Sequence, residues 1–169
     1  VRYAILKFFY PAHTVYFGFQ LDELEKSPLV LYKTGRTNAN DGGIDFVMTP
    51  LGRFFQVTET LDVRKYFLDI DKIERYPITF VIKATESVDE LLKKLREGAE
   101  RQYSVKAIVE KYMACIEEII NIPILQKRFR AGVSQGYLKN IMTEIVGQSK
   151  VEFNYEEPDE LDNEENNEE

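Results

Sequence analysis

The chain has 169 residues, 44% of them hydrophobic, with 22 basic against 29 acidic side chains. That is one domain's worth of material with enough apolar residues for a core, which excludes a wholly disordered chain. No apolar run approaches the ~20 residues that span a bilayer, and the expected partners include no membrane. Residues 1–19 are rich in aromatics but broken by Lys7, Pro11 and His13, unlike a signal-peptide h-region or a transit peptide. A single cysteine, Cys115, excludes an internal disulfide framework or a zinc ribbon, so the expected setting is reducing and cytoplasmic.

The negative balance is unevenly distributed. Ten acids and no base fall in residues 151–169, leaving 22 bases against 19 acids before them. The expected organisation is therefore one mildly basic folded domain over 1–151 and a disordered acidic tail over 152–169. An acidic total does not argue against a nucleic-acid partner.

In chain order, residues 17–26 read as a helix ending before Ser27-Pro28, because proline disfavours α geometry in the residue preceding it. Residues 29–32 are a short apolar run suited to a buried strand. A polar, Gly-rich loop follows over 35–43. Two strand-like runs, 44–48 and 53–59, flank Thr49-Pro50-Leu51-Gly52, where proline and glycine stand as a type I turn prefers. Val63, Tyr66, Phe67, Ile70 and Ile73 recur at helical spacing up to Pro77, and 78–83 is another buried strand. Strand, helix, strand implies a right-handed crossover and a parallel pair. Ser87 with Glu90 is a capping-box pattern that opens a helix. Residues 105–122 read as an amphipathic helix closed by Pro123, and 134–146 as the last helix. The class expected is α/β, a mixed sheet with a helical part over 86–147.

In the hairpin, a loop at 49–52 makes paired positions sum to 101, which sets Asp45 opposite Gln56. Cross-strand Cβ atoms lie about 4.5–5.5 Å apart, close enough for a carboxylate and an amide oxygen to share one hard cation. Alternation puts Phe54, Gln56 and Thr58 on one face and Phe55, Val57 and Glu59 on the other. Asp41-Gly42-Gly43-Ile44-Asp45-Phe46-Val47, followed ten residues on by Gln56-Val57-Thr58-Glu59, resembles the core of the PD-(D/E)xK nucleases, most closely the restriction-endonuclease and Mrr-like branch. The likeness covers residues 29–83, including the order strand, loop, hairpin, crossover helix, strand.

The resemblance implies a restriction-endonuclease-like fold and a Mg²⁺-dependent endodeoxyribonuclease of the type II restriction-enzyme kind that hydrolyses phosphodiester bonds in double-stranded DNA. A homodimer follows from the need to cut two strands with one site per chain. Asp45 matches the metal-binding aspartate, Gln56 the second, usually acidic, position, and the Val57 carbonyl a backbone ligand. Glu23 is the candidate for a further acid from an upstream helix. Thr58 stands where that family has a lysine. It can position a water but carries no charge, so Lys33 and Lys65 are candidates to supply one. The alternative is a catalytically inactive nuclease-fold module that binds DNA or protein.

For DNA contacts, Arg36 and Arg53 flank the expected cleft. Lys127, Arg128 and Arg130, followed by Gly132-Val133-Ser134-Gln135 and Lys139, resemble the turn and recognition-helix start of a helix-turn-helix. The plainer reading of the same residues is a helix corner with a basic patch, which still contacts phosphates. One histidine, His13, excludes Ser-His-Asp or Cys-His catalysis by this chain, and no P-loop or dinucleotide fingerprint is present.

Overall fold

The computed structural model describes residues 1–34 and 44–153; the Gly-rich loop with Arg36 and Asp41, and residues 154–169 of the expected tail, lie outside them. The described chain is mixed α/β, a mixed sheet flanked by helices. Helix α1 (Arg2–Phe9) passes through a 3-10 turn at Tyr10–Ala12 into a two-stranded ribbon, β1 (Thr14–Phe17) and β2 (Glu25–Pro28). The main sheet follows: β3 (Val30–Lys33), β4 (Phe46–Thr49), β5 (Arg53–Thr58), helix α2 (Val63–Lys72), then β6 (Ile78–Ile82). Helices α3 (Val88–Gln102) and α4 (Lys106–Ala114) lead to β7 (Ile116–Ile120), and α5 (Ile122–Ser134) and α6 (Leu138–Phe153) complete the described chain. Among the described residues no helix is long and apolar enough to cross a membrane.

The five strands lie in the order β3-β4-β5-β6-β7, antiparallel up to β5 and parallel from β5 to β7. The expected register holds, since Phe46 pairs Phe55, Val47 pairs Phe54 and Met48 pairs Arg53. The loop between them has a cis Thr49–Pro50 peptide and Gly52 at φ 64°. The expected crossover is also present, with β5 and β6 parallel on either side of α2.

Period-two alternation divides the sheet between two cores. Phe54, Ile78, Phe80 and Ile82 meet Tyr66, Phe67, Ile70, Leu91, Leu95 and Tyr112 from α2, α3 and α4. Leu31, Phe46, Met48, Phe55, Val81 and Ile120 meet Leu6, Tyr10 and Leu125 on the other side. Asp62 caps α2 through the N–H groups of Arg64 and Lys65, and the Ser87–Glu90 capping box forms as expected.

Three readings are corrected. Residues 17–26 are not a helix: Thr14-Val15-Tyr16-Phe17 is β-favouring and pairs with 25–28, and the chain turns between them. Residues 105–122 divide into α4 and β7, since Ile116, Ile119 and Ile120 satisfy helical spacing and strand burial equally, and pairing with β6 decides between them. Pro123 therefore opens α5 instead of closing a helix, at a position where a missing N–H costs nothing, behind the cap that Asn121 makes to the Ile124 N–H at 3.0 Å. Helix α6 starts after a turn at Gly136 (φ 86°) and runs through Phe153, two residues into the segment expected to be disordered.

Where α3 crosses α2, a Cβ on Gly98 would collide with the Val63 side chain. Val63 is β-branched and cannot swing away cheaply. Gly98→Ala is expected to lower stability by about 1–2 kcal/mol in urea unfolding, although alanine in a helix interior is normally worth ~1 kcal/mol over glycine. Pairing it with Val63→Ala should recover most of that loss.

Candidate functional site

Asp45 lies immediately before β4, at the end of the sheet where β3, β5 and β6 finish. Its backbone is held from both sides, by Thr34 N–H donating to its carbonyl at 3.0 Å and by its own N–H donating to the Phe55 carbonyl at 2.9 Å. Its carboxylate Oδ2 accepts the Val57 N–H at 2.7 Å. A side-chain oxygen thus continues the β4–β5 ladder one step past the last strand pair. The strand pairing ends at Phe46–Phe55, and the Asp45 N–H reaching the Phe55 carbonyl departs from that ladder, so the expected Asp45–Gln56 pair is not among the paired positions although both residues stand at this end of the hairpin. Asp45 is half-buried, whereas Gln56 and Thr58, on the α2-facing side of β5, are 8% and 3% exposed. The Thr58 hydroxyl donates to the Thr60 carbonyl at 2.9 Å.

Glu23 does not join them. It sits in the 18–24 turn of the β1–β2 ribbon, exposed and not on a helix. The ribbon enters β3 at Val30, the end paired with Thr49, while Asp45 lies beyond the opposite end, where Lys33 pairs Phe46. Among the described residues no group of three or more His, Cys, Asp or Glu side chains is gathered.

Neither substitute lysine is directed at Thr58. Lys33 alternates with Leu31 onto the face covered by α1, and its Nζ donates to Gln148 Oε1 at 2.8 Å. Lys65 is exposed in the first turn of α2. Two further cations that sequence reading passed over stand at this end of the sheet, on the same α1-covered face as Lys33. Glu59, just past β5, is held by Arg2 at 2.7 Å and Lys83 at 3.1 Å, and the two cations keep its carboxyl below the usual range. The Lys83 N–H also donates to the Thr58 carbonyl at 3.1 Å. A lysine closing the otherwise apolar predicted strand 78–83 was the available signal for Lys83; Arg2 had none.

Of the two arginines expected to flank the cleft, Arg36 lies outside the described residues and Arg53 stands away from it. Arg53 is at the turn end of β5, three residues from Gln56, which is roughly 10 Å along an extended strand. It is ion-paired with Glu117 at 2.8 Å and Glu118 at 3.0 Å. Arg128 also pairs with Glu118, donates to the Tyr10 hydroxyl at 2.8 Å and lies over the Phe9 ring. Both are interior ties between β5, β7, α5 and the 3-10 turn. Lys127, Arg130, Gln135 and Lys139 are exposed around the α5–α6 corner. That corner turns at Gln135–Tyr137, later than the helix-turn-helix resemblance puts it.

A buried polar patch on α2 was also missed. Asp69 is buried beside Tyr66, whose hydroxyl has no hydrogen-bond partner among the described residues. Burial raises the Tyr66 phenol, and Asp69 nearby adds to it. Burial likewise holds the Asp69 carboxyl above its ordinary value, against the pull of Lys72 at 3.3 Å. Asp69 stands three residues after Tyr66 and beside Ile70 on the apolar stripe, which was the sequence signal.

Comparison with protein-family models, curated proteins and solved structures returns no match to this chain.

Two stability measurements follow. Asp45→Ala strands the Val57 N–H and is expected to cost about 1–3 kcal/mol in urea unfolding, while Asp45→Asn keeps an oxygen acceptor and loses less than about 1 kcal/mol. For Asp69, a raised native value means the folded chain holds that proton more tightly than the unfolded one. Stability therefore falls as pH rises above the ordinary value of 3.8, and the penalty is complete once pH has passed the raised native value. Asp69→Asn should be more stable than wild type at pH 7, with the gap narrowing as pH is lowered toward 3.8.

Proposed function

We propose that the chain is a metal-dependent endodeoxyribonuclease of the restriction-endonuclease type, acting on phosphodiester bonds of double-stranded DNA. The observation that supports this reading is Asp45, held at the open end of the hairpin with its carboxylate against the Val57 backbone, beside the end of β5 that carries Gln56 and Thr58. The order strand, hairpin, crossover helix, parallel strand, which the sequence resemblance implies, is the order of β3, β4–β5, α2 and β6.

The donor chemistry fits a hard divalent cation. In an extended strand a residue's N–H and C=O leave the same edge, so the Val57 carbonyl faces the Asp45 edge with its N–H. One carboxylate, one side-chain amide oxygen and one backbone carbonyl are all oxygen donors, and Mg²⁺ commonly takes one or two carboxylates, completing its shell with water and substrate phosphate. Asp45, Gln56 and Val57 would hold it, and the ion would supply Lewis-acid polarisation of a phosphoryl oxygen and a more acidic bound water. Lys83 and Arg2 bring positive charge to the same end of the sheet, where the family lysine is replaced by Thr58. The exposed Lys127, Arg130 and Lys139 are available for non-specific phosphate contacts.

One observation favours the second reading, an inactive nuclease-fold module that binds DNA. The Thr58 hydroxyl is buried and committed to the Thr60 carbonyl, an arrangement poorly suited to positioning an attacking water.

Incubation of supercoiled plasmid with the protein and Mg²⁺ separates the two readings. The nuclease reading expects nicking or cutting by wild type, none by Asp45→Asn, which leaves the fold intact, and at least about tenfold less by Lys83→Ala. Gel retardation of DNA without cleavage by wild type supports the binding module instead. Absence of both discards each.

A further inference from the structure

The most exposed apolar side chains of the described chain are at the tip of the β1–β2 ribbon. Phe19 is 96% and Leu21 91% exposed, with Tyr16 and Leu24 exposed on the flanks. The tip is a built loop. A Cβ at Gly18 would strike the Glu23 carbonyl, so the neck closes only around glycine, and the Glu23 N–H donates to the Gln20 carbonyl at 3.2 Å. The Phe17 and Phe19 rings meet edge to face at 5.8 Å. Large apolar side chains fixed in water in this way mark a contact surface.

The charges around the tip narrow the partner. Asp22, Glu23 and Glu25 surround the apolar residues, with Lys26 the one base among 18–26. Such a tip is repelled by phosphate, which disfavours DNA and anionic lipid. It fits an apolar surface rimmed with bases. The outward face of α6 is one: Met142 and Val146, each about half exposed, floor a groove of about 400 Å³, with Thr143 and Gly147 lowering its wall and Lys139 and Lys150 lining it. The inward face of α6 is occupied by Ile141 and Ile145 packed on Ala4, Ile5 and Phe8 of α1. The exposures of Phe19 and Met142 mean that neither surface covers the other within one chain.

We infer that the ribbon tip of one copy seats Phe19 and Leu21 on the Met142–Val146 face of a second copy's α6, with Asp22 and Glu23 against Lys139 and Lys150. Made reciprocally, the contact occurs twice and closes a two-fold dimer, whereas made once it would propagate as a chain. The inference is independent of the nuclease reading, and its test reads mass and proximity, not cleavage.

Chains with one added cysteine, Phe19→Cys or Met142→Cys, and buried Cys115 left in place, are mixed and oxidised. The expected product is a disulfide between the two different chains, with neither variant linking to itself. Sedimentation should give a dimer for wild type, and Phe19→Asp with Leu21→Asp should raise its dissociation constant by about tenfold or more. Asp22→Lys with Glu23→Lys alone should also weaken the dimer, and adding Lys139→Glu with Lys150→Glu to those two reversals should restore it. A monomeric wild type, self-linking of Met142→Cys chains through paired α6 faces, or an internal link in a chain carrying both cysteines overturns the proposal. So does retention of the dimer by Phe19→Asp with Leu21→Asp, since circular dichroism can establish that those exposed substitutions leave the fold unchanged.

Discussion

The register of the β4–β5 hairpin is the constraint on which the rest of the structure depends. Slipping a strand by one residue moves every side chain to the opposite face. Here such a slip would send Phe55 and Met48 out of one core and Phe54 out of the other, and would break the bond from the Val57 N–H to the Asp45 carboxylate. The hydrophobic pattern and the short loop set the register. The bond from Val57 N–H to the Asp45 carboxylate continues it past the last strand pair, at the point where β4 gives way to the polar loop. The residue that defines the candidate site is therefore also a structural residue. Substituting it tests both roles at once unless asparagine and alanine are compared.

Charge is allocated in this fold by depth. Arg53 and Arg128, both mostly buried, share Glu118 and are oriented by Glu117, Tyr10 and Phe9, which leaves them little freedom to meet a ligand. A buried pair is strongly destabilising to break, because the remaining partner is left uncompensated. The exposed pairs, such as Lys93 with Glu97, contribute little by comparison. Available positive surface is concentrated at the α5–α6 corner and, through Arg2 and Lys83 around Glu59, on the α1-covered face at the end of β5 and β6. These are the places where an anionic polymer could be met.

What was legible in the sequence follows the strength of local signals. The hairpin, its register, the crossover helix and the capped α3 were readable because proline, glycine, capping residues and a clean period all agreed with the tertiary outcome. Helix α1 and the β1–β2 ribbon were not, because aromatic-rich segments without clear alternation suit several structures, and only the close approach of Gly18 to Glu23 reveals the turn. Strand β7 was missed for a different reason. Its isoleucines fit two periods, and the choice belongs to β6 and not to the segment itself. Of the site, the hairpin register up to Phe46 and Phe55 was legible from pairing arithmetic, and with it the end of the sheet at which Asp45 stands. The loss of Glu23, Lys33 and Arg53 from the site was not, since each depends on which end or face of the sheet a distant segment reaches.

The end of the sheet at Asp45 also explains how a site could function with threonine at position 58. A lysine side chain there would have to enter the buried face beneath α2, where Tyr66 already lacks a hydrogen-bond partner and Asp69 is held against desolvation. An ammonium in that environment would be costly unless Asp69 or a similar carboxylate paired with it. Threonine avoids the cost by satisfying its hydroxyl locally on Thr60. Positive charge is carried one strand over instead, by Lys83 on the opposite and more open face, balanced by Glu59 with Arg2. Because Glu59 lies between two cations, an arriving phosphate competes with a carboxylate for them and need not meet a bare charge. The shared carboxylate keeps both cations ordered, and their availability to any other anion is sensitive to ionic strength at this exposed edge.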